Sequence, residues 1–305
     1  MGVGERGRRL IRVNIERRYV VLNVGESPEF ELAGQVAVIT GAASGLGLAL
    51  ARACARERMK LVLADINEEG LQIAVQELRA ITPCTALRVD VRDRIQVGNL
   101  ELLAFETYGG TDVLFNNAGV VAARPVMQTS VADWRWLLEV NLWSVIHGIS
   151  AFVPRMLARS REGRIVNTAS AAGFVSVSTL AAYCVSKHGV VALSESLHQE
   201  LTTQRARLGV TILCPAFTPT HIAQSERYRP PELTDGGAVT AEIREAQASL
   251  EKAVGSGRLT AQDVAEAALR GVRERALYVF PHRKILRGIE ERMSGVYAAF
   301  AADEA

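Results

Sequence analysis

From position 35 onward, short apolar runs alternate with longer stretches whose apolar residues recur at helical spacing. The runs 35–40 (QVAVIT), 60–64, 87–91, 112–116, 164–168 and 210–213 are rich in Val, Ile, Leu and Phe and end at polar residues or glycines. Runs this short and this uniformly apolar predict strands buried on both faces. Between them, 46–58, 68–81, 132–158 and 183–203 predict helices. Strands alternating with helices of this length predict βαβ units, and therefore an α/β fold: a doubly wound parallel sheet with helices on both faces, in a single domain over 32–282. A last strand is expected at 276–280, followed by a basic helical tail over 283–305. Residues 1–31 stand outside the pattern. Their first twenty carry six arginines against two acids and no apolar face, so an extension outside the domain is expected.

Composition narrows the picture. Of 305 residues 49% are hydrophobic and 22% charged, and the net charge is +2, the profile of a soluble domain with a sizeable core. That balance gives no reason to expect nucleic acid as a partner. No apolar run approaches the ~18 residues of a membrane span, so no membrane association is expected. Cys54, Cys84, Cys184 and Cys214 are widely spaced and form no C-x-x-C pair, which suits buried free thiols in a cytoplasmic protein. The histidines show no metal-ligand spacing, and no metal is expected.

The candidate chemistry gathers where the strands end. The first strand runs into Thr40-Gly41-Ala42-Ala43-Ser44-Gly45-Leu46-Gly47. Glycines at a strand-to-helix turn let backbone approach a pyrophosphate, and the helix presents its positive end. The second strand ends in Asp65, eighteen residues after Gly47, where a carboxylate can accept hydrogen bonds from ribose hydroxyls and repel a 2′-phosphate. Neither Ser44 nor Ile66 supplies a positive charge, so NAD is expected rather than NADP. Further along, Tyr183 and Lys187 lie four apart on a predicted helix and share a face, with Ser170 thirteen residues upstream of the tyrosine. A phenol near its ordinary pKa of ~10 is a poor base, and an adjacent ammonium favours the phenolate.

With TGAASGLG at 40–47, Asp90-Val91, NNAG at 116–119, Asn141, Ser170 and YCVSK at 183–187, the chain resembles the short-chain dehydrogenase/reductase family over about 32–280. The resemblance implies that Tyr183 is the acid/base and that Ser170 holds the substrate oxygen. Lys187 would bind the nicotinamide ribose and lower the tyrosine pKa, and Asn141 would hold a relay water. It also implies cofactor contacts at Gly41, Ser44, Gly45, Leu46, Gly47, Asp65, Ile66, Asp90, Val91, Asn117, Ala118 and Gly119, besides Tyr183 and Lys187. After the sixth strand the family usually shows Pro-Gly, whereas this chain has Pro215-Ala216. Cofactor contacts from Pro215, Phe217, Thr218 and Thr220 are expected there.

Ser170, Ala172, Tyr183 and Phe217 are the expected substrate contacts, within walls formed by Val121, Ala122 and 171–175. These are mostly apolar, which predicts a small hydrophobic secondary alcohol or its ketone. The region 216–258 is expected as a substrate lid. Its Arg227 and Arg229 could meet a carboxylate but read better as solvated surface. PAFTPTHIAQSERYRP and ALYVFPH resemble a subgroup that oxidises benzylic alcohols of lignin-type aryl ethers. The family also implies a homodimer or homotetramer packed through the fourth and fifth helices. An NADPH-dependent 3-oxoacyl or carbonyl reductase and a non-catalytic cofactor-binding relative are the alternatives.

Overall fold

The computed structural model describes residues 29–234 and 239–301. Seven strands form one parallel sheet: β1 (Val36–Thr40), β2 (Lys60–Asp65), β3 (Cys84–Arg88), β4 (Val113–Asn116), β5 (Gly163–Thr168), β6 (Leu208–Leu213) and β7 (Tyr278–Val279), in the order β3-β2-β1-β4-β5-β6-β7. Successive side chains of a strand point to opposite faces. Accordingly Ala37 and Ile39 of β1 enter one core with Leu61 and Leu63, while Val36 and Val38 enter the other with Val62 and Ala64. The first core is closed by α1 (Gly45–Arg56), α2 (Glu68–Arg79) and α8 (Ala261–Arg273). The second is closed by α3 (Arg94–Tyr108), α4 (Val131–Leu138), α5 (Ser144–Ala158) and α6 (Ala181–Thr203). With both faces covered, the strands have no polar face to show, which is why they read as continuous apolar runs.

Strand order reverses between β1 and β4, and the crevice beyond their carboxyl ends is where such sheets hold ligands. Above it lies the region expected as a lid: 3₁₀ segments at His221–Tyr228 and Pro231–Leu233, then α7 (Ala241–Gly255). Thr240 caps α7 by accepting the Ile243 N–H at 3.2 Å. Leu250 and Val254 of α7 pack with Val121, Ala172 and Leu180. The last helix of the described residues is α9 (Ile285–Ala301).

The structure departs from the expectations in four places. The third strand lies at Cys84–Arg88 rather than 87–91. Val89 and Val91 are buried, but in the turn that leaves the sheet. The expected helix 132–158 is broken by a π-turn at Glu139–Trp143 that separates α4 from α5. Among the described residues Val131–Ala158 is the one stretch long and apolar enough to cross a membrane, and half of its apolar window is buried, as in a core helix. The last strand shrinks to Tyr278–Val279. Finally, Phe30 is buried and its N–H bonds the Arg273 carbonyl at 2.9 Å, so the fold begins inside the expected extension. Residues 1–28 of that extension lie outside the described residues.

Candidate active site

The turn after β1 has no room for side chains. A Cβ on Gly47 would sit 1.9 Å from the Gly41 carbonyl oxygen, and Gly41 itself adopts φ +69 with the Ala118 backbone 2.9 Å from where its Cβ would be. Here glycine is required by contact as well as by dihedral. Thr40 ties this turn to the end of β4: its Oγ1 accepts the N–H groups of Asn117 (2.9 Å) and Ala118 (3.1 Å), and its carbonyl accepts the Asn117 side-chain amide at 3.0 Å. The resulting cleft is lined by Gly41, Ser44, Gly45, Leu46, Gly47, Ile66, Asp90, Val91, Ala118 and Gly119, among others. Asp65 borders it with a fixed carboxylate, which accepts the Ala43 and Asn67 N–H groups, both at 2.9 Å. Burial pushes the Asp65 pKa up, against those two backbone donors and the charge of Arg227. The donors and the glycine cradle fit a dinucleotide whose pyrophosphate lies at the α1 N-terminus.

At the far end of this cleft stand Ser170, Tyr183 and Lys187. Lys187 is only 3% exposed, and its Nζ donates to the Thr168 carbonyl at 2.9 Å. Burial lowers its pKa from the ordinary 10.5 to about 8. Its ammonium lies 5.7 Å from the centre of the Tyr183 ring. Burial also raises the Tyr183 pKa, opposed by the Ser170 hydroxyl. Desolvation of the phenolate, and not the lowering expected from Lys187, therefore sets the direction of the shift. The Ser170 hydroxyl donates to the Pro215 carbonyl at 3.3 Å and accepts the Ala172 N–H at 3.1 Å.

Asn141 lies in the π-turn and is fully buried. Its Oδ1 accepts the Val120 N–H at 2.8 Å, while its Nδ2 donates to the Val120 carbonyl at 2.9 Å and to Ser186 at 3.1 Å. The side chain thus anchors the strand-end loop and does not line the cleft.

A second cavity of about 590 Å³ opens beside the first. Ser170 and Tyr183 line both, so the hydroxyl pair stands at their junction. Val121, Ala171, Ala172, Val175 and Phe217 form apolar walls of this second space, as expected. Ala122 and Phe174 do not; Phe174 packs instead on Tyr278 and Phe280. Pro215, Thr218 and Thr220 line the first cleft, but Phe217 lines only the second, so the structure places it on one side of its two expected roles. The Ala216 N–H is held by His282 Nδ1 at 3.1 Å, a tie from the C-terminal tail to the loop where family members usually carry glycine.

Sequence reasoning missed how the region expected as a lid is fastened. Arg229 is not solvated: it donates to Asp133 at 2.5 Å and to Glu226 at 2.6 Å, and lies 4.2 Å over the Trp136 ring. Arg124 holds Glu226 at 2.8 Å, and Arg92 holds Glu232 at 3.2 Å. Arg227 and Tyr228 line the dinucleotide cleft, with the Tyr228 hydroxyl accepting from Asn67 at 3.3 Å. No periodicity marks these positions, and only an i, i+3 pair such as Glu226–Arg229 could have hinted at them.

A family model described as short chain dehydrogenase matches residues 35–230. A short chain dehydrogenase/reductase from Burkholderia phymatum, solved in complex with NAD, superposes with a TM-score of 0.87 at 41% identity, covering 88% of this chain and 96% of that one. A C alpha-dehydrogenase of Sphingobium sp. strain SYK-6 is 33% identical over 272 residues, 88% of each chain. A 1-deoxy-11-beta-hydroxypentalenate dehydrogenase of Streptomyces exfoliatus is 38% identical over 193 residues, 62% of this chain and 70% of the relative.

Proposed function

The chain belongs to the short-chain dehydrogenase family of nicotinamide-dependent oxidoreductases, and from that footing we propose that it interconverts a hydrophobic secondary alcohol and its ketone, with NAD as cofactor. One observation carries this reading: Ser170 and Tyr183 stand where a dinucleotide-shaped cleft meets an apolar cavity. The bound nicotinamide supplies hydride acceptance or donation. The chain's own residues do the rest. Ser170 turns its hydroxyl from the Pro215 carbonyl to the substrate oxygen. Tyr183 gives its proton to that oxygen in reduction and takes it back in oxidation. Lys187, held by the Thr168 carbonyl, would hold the ribose with its remaining N–H donors and restore the tyrosine proton. A relay water here would rest on the main chain of the π-turn, because both Asn141 Nδ2 hydrogens are engaged and its Oδ1 is turned to the Val120 N–H.

For the cofactor, the fixed Asp65 carboxylate meets ribose hydroxyls well and a 2′-phosphate badly. The NAD complex of the Burkholderia relative supports the same choice. Arg227 argues the other way: it lines the cleft and its charge is felt at Asp65, which favours an NADPH-dependent reductase. Titration with NAD⁺ and NADP⁺, followed by hydrophobic secondary alcohols and absorbance of the reduced cofactor, tests the reading. Tighter NAD⁺ binding with turnover upholds it; a clear NADP⁺ preference makes Arg227 the deciding residue and favours the reductase.

A further inference from the structure

The second cavity is apolar inside, but every charged residue on its rim is a base. Arg258 enters from the turn between α7 and α8, and Arg283 and Lys284 from the turn before α9. Among the described residues no Asp or Glu lines this space. Elsewhere on the molecule arginines are routinely matched with acids, as in Arg52–Glu77, Arg92–Asp90 and Arg273–Glu57. Arg258 and Lys284 are exposed and have no ion pair or hydrogen bond among the described residues. They come from two separate elements and converge on one opening. Meanwhile Arg227 and Arg229, two further bases of the region 216–258, stand elsewhere, at the dinucleotide cleft and on Asp133.

We propose that the substrate of this site carries a carboxylate at the end remote from the reacting carbon, and that Arg258 and Lys284 receive it at the rim while the apolar walls hold the hydrocarbon between. The inference rests on the dehydrogenase reading above and adds a substrate class to it. An apolar chain satisfies Val121, Ala172, Val175 and Leu250, and only an anion satisfies a rim of one sign. The charged end can stay hydrated, so the pairing costs little desolvation and acts on selectivity.

The test is a homologous series of straight-chain secondary alcohols ending in a carboxylate, set beside their methyl esters and the unsubstituted alcohols, with wild type and the Arg258→Ala/Lys284→Ala double variant. Expected is a kcat/KM for the best acid about fivefold or more above its ester, the scale of two exposed ion pairs. That preference shrinks with added salt and disappears in the double variant, while turnover of the neutral alcohols stays the same. The matching keto acid raises the melting temperature more than the keto ester, and only in wild type. Equal kcat/KM for acid and ester at every chain length, or an acid preference that survives the double variant, overturns the inference but leaves the dehydrogenase reading intact. No turnover of any member with either cofactor overturns both.

Discussion

Lys187 is held inside the protein by one carbonyl, and the cost of keeping it there is large. Its pKa falls from 10.5 to about 8 on burial, so at neutral pH the fold carries a charge it would be more stable without, by up to about 3 kcal/mol. Between about 8 and 10.5 the unfolded chain binds the proton and the folded one does not, so this group makes stability rise with pH across that window. Lys187→Met, close in volume and uncharged, is expected to raise the melting temperature while turnover collapses, as thermal denaturation and steady-state rates will show. Tyr183 leans the other way: burial holds its phenol protonated, ready as an acid for ketone reduction. Alcohol oxidation needs the phenolate, so its kcat/KM should rise with pH toward about 8 and flatten where Lys187 loses its charge. A pH profile of oxidation that falls over that range contradicts these assignments. Both residues were legible from the Tyr-x-x-x-Lys spacing, but their pKa directions were not. Those depend on burial, which no local pattern reports.

Among the elements, the strands were legible because each is buried on both faces and its neighbours are turns. β3 was misplaced because Val89 and Val91 continue the alternation after the chain has left the sheet. The π-turn at Glu139–Trp143 was invisible because helical spacing runs through it, and only the buried Asn141 marks the break. The glycine turn after β1 was fully legible, and it makes a sharp prediction. Gly47→Ala would place a Cβ 1.9 Å from the Gly41 oxygen, a clash with backbone that should cost about 1–3 kcal/mol and weaken cofactor binding, readable by denaturation and by NAD titration. The fastening of the 221–233 segment was not legible, since Arg229 and Asp133 lie far apart in sequence. Arg229→Ala leaves the buried Asp133 carboxylate short of a partner and should cost about 3 kcal/mol, speeding protease cleavage of the 221–233 segment and loosening NAD.

At the scale of the molecule, sheet, cleft and cavity form one arrangement: strand reversal opens the crevice, the glycine turn shapes one end, and Ser170, Tyr183 and Lys187 close the other. That order could be read in sequence because six motifs follow one another along the chain, four of them just after strands and two, Asn141 and YCVSK at 183–187, on helical segments. The basic rim could not, since Arg258 and Lys284 meet only through the fold. Val131 on α4, Trp143 in the π-turn and Val185 on α6 are apolar and exposed, and we propose that they pack a homodimer or homotetramer. Light scattering should then give two or four chain masses, reduced by Trp143→Glu. The central claim, a phenol that moves the proton in a nicotinamide-dependent oxidation, is tested most directly by Tyr183→Phe assayed for NAD binding and alcohol turnover together. The account predicts unchanged NAD affinity with turnover down about a hundredfold or more. Turnover that survives without the hydroxyl would contradict it.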